Sequence, residues 1–335
     1  MTTRGRRSQQ QQQPPRFRTS FSIRNLRSTL TGVALGIGIG SVSVLFALGK
    51  LNEEEEAGRG RGDQTTPGGG EFLQHEALRY GLPSSSNVHV RSGYVVSYDY
   101  RTRNASWVLE YLTRDSLRVV DDTDRTKSNF TVDALTPEPF RVHPNLFLKS
   151  GYDKGHLAPA RDMINSQQAM NESFLMTNIS PQVGVGFNRG YWSRFEGFVR
   201  HLAGQFDGVY VVTGPLFLPT KNKKTGEYQV KYPLLGTPPD AVAVPTHFFK
   251  VVLGRKRDGS FASAGFILPN RVISEKKELT DFLTPINVIE KHAGLLFFDK
   301  VRCSKTCAYS YVANCSLHGK WKLVNSHIIR AFHDE

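Results

Sequence analysis

Residues 150–160 read S-G-Y-D-K-G-H-L-A-P-A, and this stretch decides the fold of the chain. It places an acid, a base and an imidazole around one glycine, as Asp153, Lys154, Gly155 and His156. A single histidine in a loop is usually structural or solvated. The chemical meaning of the stretch therefore depends on the segments that accompany it.

Two further polar segments follow within about forty residues. Residues 174–182 read F-L-M-T-N-I-S-P-Q and contain Asn178, and residues 186–192 read G-F-N-R-G-Y-W and contain Asn188. Glu196 comes one helical turn after Trp192. Aromatic and aliphatic side chains at positions 191, 195, 198 and 202 predict an amphipathic helix over 188–205.

The remaining periodicity indicates mixed secondary structure. Residues 94–100 and 106–113 are rich in β-forming side chains and flank R-T-R-N, which predicts a β-hairpin. Further strands are expected over 208–213, 241–253 and 261–268, the second interrupted by Pro245, with a short helix over 284–292. This is the pattern of an α+β domain whose sheet is mostly antiparallel.

The three polar segments together resemble the DNA/RNA non-specific endonucleases. D-K-G-H is similar to the family signature D-R-G-H, and T-N-I-S-P-Q is similar to its S-N-x-x-P-Q segment. Asn188, Trp192 and Glu196 resemble its N-x3-W-x3-E helix. Residues 214–219, 244–250 and 268–270 look like the endonuclease G branch of the family. The resemblance covers roughly residues 75–300.

This resemblance implies a fold, a reaction and partners. The expected fold is a ββα-metal nuclease with a central, mostly antiparallel sheet flanked by helices. The expected reaction is hydrolysis of DNA and RNA with Mg²⁺ or Mn²⁺, leaving 5′-phosphate ends. The resemblance also implies a homodimer in the mitochondrial intermembrane space, with a role in apoptotic or mitochondrial DNA degradation.

The resemblance assigns roles residue by residue. His156 matches the general base, and Asn188 matches the metal ligand. Asn178 and Glu196 match positions that orient His156 or the waters around the metal, while Asp153 and Lys154 belong to the catalytic motif. A phosphodiester is already anionic, so an attacking water must lose a proton and the developing charge must be stabilised.

Two features depart from a simple match. Lys154 stands where the family usually has arginine, and lysine lacks the bidentate fork that fits a phosphate. Eight residues of regular helix would separate Asn188 from Glu196 by about 12 Å. Both residues could approach one metal only through intervening waters, or if Asn188 lay in an irregular first turn. Asn188 is therefore expected to bind the metal directly, and Glu196 to act through water. A further phosphate-binding cation is expected from Arg125 or Lys127.

The charge distribution is compatible with this chemistry. The chain has 335 residues and a net charge of +13. Residues 1–50 carry +8, residues 51–70 carry −3 and the remaining 265 residues carry +8. Such a basic body suits a polyanion, because lysine and arginine release the counterions condensed on phosphates. Simple solubility explains the charge equally well.

The N-terminal region has the composition of a targeting segment. Residues 1–27 contain seven arginines and no acid, as in a mitochondrial presequence. Residues 28–49 carry no charge and are long enough to cross a bilayer as a transmembrane or signal-anchor segment. Residues 50–74 form a flexible linker. These features predict anchoring in the mitochondrial inner membrane facing the intermembrane space, with nuclear access after release.

A secretory glycoprotein is the competing interpretation of the N-terminal region. The chain contains five N-x-S/T sequons, at Asn104, Asn129, Asn171, Asn178 and Asn314. Whether the N-terminal segment is cleaved stays open. A catalytically weak, membrane-tethered nucleic-acid-binding protein is the alternative function, to which Lys154 points.

Residues 301–335 form a C-terminal extension beyond the resemblance. They contain Cys303, Cys307 and Cys315, followed by His318. This spacing matches no common zinc motif, and isolated thiols are usually buried apolar groups. The extension has no assigned role.

Overall fold

A six-stranded antiparallel sheet forms the centre of the computed structural model, which describes residues 75–120 and 122–301. In spatial order its strands are β1 (Val88–Val90), β2 (Tyr94–Asp99), β3 (Asn104–Leu112), β6 (Gly208–Leu216), β11 (His247–Arg255) and β12 (Phe261–Pro269). Every neighbouring pair is antiparallel. This confirms the expected α+β class.

Shorter elements surround this sheet. The other strands form three antiparallel pairs, β4 (Tyr152–His156) with β5 (Ile179–Val183), β7 (Thr220–Lys221) with β8 (Tyr228–Gln229), and β9 (Leu234–Thr237) with β10 (Asp240–Ala243). The α-helices of the described residues are α1 (Gln167–Ser173), α2 (Ser193–Gln205) and α3 (Ile286–Ala293). Short 3-10 helices lie at Glu76–Tyr80, Arg125–Lys127, Glu138–Phe140, Pro144–Phe147, Ala160–Asp162, Met176–Asn178 and Leu279–Phe282.

Both faces of the central sheet are covered, which gives three layers. Side chains alternate between the faces with the period of two that β-strands impose. One face, which includes Val211 and Phe248, packs against apolar residues of α2. The other, which includes Val212 and Phe249, packs against α3. The sheet thus forms the middle layer, with α2 and the β4–β5 ribbon on one side.

The hairpin predicted over 94–113 is present as β2 and β3, paired from Tyr94↔Glu110 to Asp99↔Asn104. The run predicted over 241–253 is divided into β10 and β11, with Pro245 between them. Proline has no N–H to donate to a strand ladder, so the interruption is physically expected.

The helix predicted over 188–205 begins later than expected, at Ser193, and this prediction was wrong at its N-terminus. Residues Gly184–Trp192 instead form an irregular π-type segment. Gly186 has φ +81° and Gly190 has φ −147° with ψ −107°, so neither continues an α-helix. Glycine tolerates such backbone angles at little steric cost. Similarly, α3 begins after Pro285 rather than at Thr284.

The predicted targeting segment 1–27, membrane span 28–49, linker 50–74 and residues 302–335, with all three cysteines, lie outside the described residues. Within the described part of the chain, no helix has the length and apolar character needed to cross a bilayer.

Candidate active site

The β4–β5 ribbon and the segment that follows it carry most of the predicted site residues. His156 pairs with Ile179, and Asp153 pairs with Gln182. Strand alternation places Lys154 and His156 on one face of β4 and Asp153 on the other. After β5, the Gly184–Trp192 segment presents Asn188 and leads directly into α2, which bears Glu196. This order is the expected ββα arrangement.

His156 lies in an aromatic pocket. Its ring centroid is 5.5 Å from that of Phe130 and 4.8 Å from that of Phe174. Its Nε2 is buried and has no hydrogen-bond partner among the described residues. Burial, together with the nearby Arg125 charge, lowers the pKa of His156 to about 3. The imidazole is therefore neutral at physiological pH, which is the form that can accept a proton.

Two cations flank this pocket. Lys154 Nζ is 4.9 Å from the Phe130 ring centroid, and Arg125 Cζ is 5.6 Å from the Phe174 centroid. Lys127 instead directs its ammonium towards the backbone oxygen of Asp122, 3.5 Å away. Of the two cations that the sequence left open, the structure thus brings Arg125 to His156. Neither Phe130 nor Phe174 was identified from the sequence, where each is one apolar residue among many.

Asp153 orients the amide of Asn188. Asn188 Nδ2 donates to Asp153 Oδ2 over 2.9 Å, and Arg189 Nε lies 2.8 Å from the same oxygen. An ionised carboxylate can only accept hydrogen bonds, so the NH₂ group of Asn188 must face it. The Oδ1 atom consequently points away from Asp153. Asp153 therefore fixes which end of the Asn188 amide faces the β4–β5 ribbon, and the carbonyl oxygen is turned away from the carboxylate.

Glu196 lies in the first turn of α2 and is half-buried. Its carboxylate forms no hydrogen bond within the described residues, although Lys250 and Arg200 are close enough to act on its charge. Burial raises the pKa of Glu196 to about 7, against the opposing effect of Lys250. Trp192, Glu196 and Arg200 are spaced by four residues and therefore share one stripe of the helix.

Behind that stripe lies a buried charged cluster that the sequence analysis missed. Lys250 Nζ donates to Thr213 Oγ1 over 2.8 Å and lies 4.9 Å from the Trp192 ring centroid. Arg200 Nη1 donates to Asp162 Oδ1 over 2.8 Å.

Glu110 completes the cluster from β3. It is 1% exposed, and its pKa is raised by burial and by the neighbouring Asp162 carboxyl. Buried charges must be paired or neutralised, so this cluster fixes α2 against the sheet.

Asn178 lies in the Met176–Asn178 3-10 helix and is fully buried. Its Oδ1 accepts from the Ala158 backbone N–H, and its Nδ2 donates to the backbone oxygens of Ala158 and Ser173. All three hydrogen bonds of the amide thus go to the backbone of Ala158 and Ser173, and its side chain makes no hydrogen bond to His156. Its burial and that of Asn104 also make both sequons unsuitable for glycosylation.

The residues present suit a hard, strongly hydrated cation. No group of three His, Cys, Asp or Glu side chains within the described residues could hold a metal. The available groups are the Asn188 carbonyl oxygen, in the irregular segment, and the Glu196 carboxylate, in the first turn of α2. Mg²⁺ retains several waters and binds few protein oxygens, so this sparse oxygen set fits it. The set does not suit zinc, which takes nitrogen and sulfur ligands.

Comparison with known proteins agrees with this geometry. The family model described as DNA/RNA non-specific endonuclease matches residues 73–304. A nuclease of Syncephalastrum racemosum is 48% identical over 234 residues, which cover 69% of this chain and 73% of that protein. The mitochondrial nuclease of Saccharomyces cerevisiae is 41% identical over 246 residues, covering 72% and 74%.

Human mitochondrial endonuclease G and a solved structure give the same result. The human protein is 39% identical over 226 residues, covering 68% of this chain and 74% of that protein. A crystal structure of an EndoG/EndoGI complex matches with a TM-score of 0.66 and 40% identity, over 71% of this chain and 95% of that chain. The ββα arrangement and these similarities together show that the chain belongs to the DNA/RNA non-specific endonuclease family and is a nuclease.

Proposed function

We propose that this chain is a Mg²⁺- or Mn²⁺-dependent endonuclease that hydrolyses DNA and RNA with little sequence preference. The observation that carries the proposal is the contact between Asp153 and Asn188, 2.9 Å, which leaves Oδ1 of Asn188 free for a cation. His156 supplies the second requirement, because its imidazole is neutral at physiological pH and its Nε2 has no hydrogen-bond partner within the described residues.

The proposed reaction divides the work between these residues. A ring nitrogen of neutral His156 takes a proton from water as its oxygen attacks phosphorus. The bond from phosphorus to the 3′-oxygen breaks, leaving a 5′-phosphate. The departing 3′-oxygen takes a proton from solvent water to become the 3′-hydroxyl, and His156 later returns its proton to solvent. A magnesium ion bound at Asn188 would polarise the phosphoryl group and stabilise the leaving oxygen. Glu196 accepts hydrogen bonds from water beside Asn188 and so helps to order this part of the site.

Arg125 and Lys154 are proposed to hold the phosphate. Both cations lie over aromatic rings that contact His156, so a phosphate placed between them would adjoin the base. Lysine contacts phosphate as a point charge and does not supply the bidentate geometry of arginine. None of these groups reads base edges, and contacts to phosphate alone carry no sequence information.

The proposed location is mitochondrial. The relatives from Saccharomyces cerevisiae and human are both named as mitochondrial proteins, and residues 1–27 have the composition of a presequence. We further propose a homodimer held at the inner membrane by residues 28–49 and facing the intermembrane space, with nuclear substrates reached after release. Fusing residues 1–70 to a fluorescent protein tests the location. Fluorescence in the endoplasmic reticulum, with none in mitochondria, would contradict it.

Plasmid cleavage tests the proposed reaction. The purified chain should nick supercoiled plasmid with Mg²⁺, and EDTA should stop it. His156→Ala should lower the rate by about 10²–10⁴-fold, the usual contribution of general acid–base catalysis. His201→Ala, which removes an exposed histidine of α2, is the matched control and should cleave at the wild-type rate. Equal rates for the two variants would reject the role of His156. Salt-sensitive DNA binding without cleavage by the wild type would favour the non-catalytic alternative.

A further inference from the structure

A basic hairpin projects from one end of the central sheet. Residues 219–233, here called the arm, connect β6 to β9 and contain the short β7–β8 pair. All residues from 220 to 234 are exposed except Asn222, Gln229 and Tyr232. Tyr228 is 71% exposed, and Val230 and Leu234 are each 48% exposed. The tip of the arm therefore contributes little to the core.

The arm carries a strong excess of positive charge. Its lysines are Lys221, Lys223, Lys224 and Lys231, against one acid, Glu227. None of the four lysines has a carboxylate oxygen within 4.0 Å in the described residues. Glu227 instead accepts from Thr225 Oγ1 over 3.0 Å. Lys221 Nζ lies 5.8 Å from the ring centroid of Tyr228, so cationic and aromatic groups stand side by side.

The base of the arm is anchored beside the candidate active site. Leu218 N donates to Thr246 Oγ1 over 2.9 Å, and Asn270 N donates to the Thr246 backbone oxygen, also over 2.9 Å. Asn270 Oδ1 accepts from Val183 N over 2.9 Å. Val183 is the last residue of β5 and directly precedes the segment that bears Asn188.

The returning strand of the arm has a similar anchor. It enters β9, where Leu235 belongs to the apolar cluster that contains Ile179 of β5. Near the base, the rings of Phe217 and Tyr232 lie 4.8 Å apart between centroids. Both ends of the arm are thus fixed beside the β4–β5 ribbon, and its tip extends from the same end of the sheet.

We infer that the arm is a second nucleic-acid-binding surface that contacts the phosphate backbone away from the cleaved bond. This inference rests on the proposed function, which places a phosphodiester at the β4–β5 ribbon. Unpaired lysines suit a polyanion, because each phosphate that they neutralise releases counterions. Exposed tyrosine beside lysine suits stacking on an unpaired base, which does not depend on base identity. The occupant is therefore a nucleic-acid strand that continues beyond the active site.

A salt titration of binding tests the arm directly. The full chain with His156→Ala in EDTA is titrated against a fluorescein-labelled 30-base-pair DNA duplex, and anisotropy is recorded at several salt concentrations. In this background Lys223→Gln/Lys224→Gln should lower the slope of log K against log salt by about 1.8, since each phosphate contact contributes about 0.9. The affinity at 100 mM salt should fall at least tenfold. Tyr228→Ala should weaken binding of a single-stranded 30-mer by about fivefold or more.

A matched control removes two charges from the opposite end of the sheet. Lys256→Gln/Arg257→Gln alters the turn between β11 and β12, beyond Arg255, which pairs with Gly208 at the far end of β6. It should leave the slope and the affinity unchanged. Every variant retains residues 1–27, so their contribution cancels in the comparison.

The outcomes separate the arm from the proposed reaction. Equal slopes for the arm and control variants would overturn the inference. The inference would also be overturned if the arm variant changed its molecular mass in sedimentation while its affinity for DNA, per protomer, stayed unchanged. The arm would then be a contact between copies of the chain. If the wild type failed to cleave DNA, the proposed function would be rejected while these binding results stood. In the His156-containing enzyme, the arm variant should raise KM for long duplexes and leave kcat unchanged.

Discussion

Asn178→Ala provides a direct test of whether Asn178 has a chemical or a structural role. The resemblance to the family predicts that it orients His156 or water. In the structure its side chain makes three hydrogen bonds, all to the backbone of Ala158 and Ser173, with lengths of 2.8–2.9 Å. Alanine would remove all three and leave buried backbone groups without partners.

The expected loss of stability follows from these three bonds. A neutral buried hydrogen bond contributes about 1 kcal/mol net, so the free energy of unfolding should fall by about 3 kcal/mol. For a domain of about 230 residues this corresponds to a decrease in Tm of about 6–12 °C. Because Ala158 follows His156 by two residues, the base should also lose its fixed position, and activity should fall even where the protein is folded.

Urea unfolding followed by tryptophan fluorescence is a suitable assay, since Trp107 and Trp192 are both buried. Asn145→Ala is the matched control, because Asn145 is an exposed asparagine whose side chain makes no hydrogen bond within the described residues. Its loss should be within about 0.5 kcal/mol, as for most surface substitutions. If Asn178→Ala kept the free energy of unfolding of the wild type but cleaved DNA a hundredfold more slowly, the structural role would be refuted. Asn178 would then act directly on His156 or water.

Two predictions concern pH. Burial raises the pKa of Glu196 to about 7, so the cleavage rate should decline below about pH 7 as this carboxylate gains a proton. The Lys250 charge lowers this pKa, so Lys250→Met should move the decline to higher pH in a profile of rate against pH. Because the pKa of Glu196 is raised in the folded state, the wild type loses stability as pH rises towards 7. The free energy of unfolding of Glu196→Gln, relative to wild type, should therefore be higher at pH 8.5 than at pH 4.5. An equal difference at the two pH values would contradict the raised pKa. Burial lowers the pKa of His156 to about 3, so its contribution to stability is lost as pH falls from about 6.5 towards 3. His156→Phe should therefore gain stability relative to wild type at pH 4 compared with pH 7.5, measured by urea unfolding, although it should not cleave DNA.

The sequence determined the class of fold and named most residues of the candidate site, because both depend on local order along the chain. Alternating β-forming residues predicted β2, β3, β6, β11 and β12, and Pro245 predicted the interruption before β11. The order of His156, Asn178, Asn188 and Glu196 was sufficient to identify the family, because the ββα unit is contiguous in sequence. The periodicity predicted a helix from Asn188, but the helix begins at Ser193. Asn188 lies in the irregular segment before it, one of the two arrangements that the eight-residue spacing to Glu196 had left open.

Tertiary structure decided what surrounds these residues. Phe130 and Phe174 reach His156 from separate segments, and burial between them, together with the Arg125 charge, lowers the pKa of the imidazole. Glu110 and Lys250 each interrupt an apolar strand, which was a visible signal, but their partners are on other elements. A sequence pattern records which face a side chain occupies; it does not record which distant segment covers that face. Desolvation and charge pairing arise only from that covering, so the protonation state of the site is a property of the folded chain.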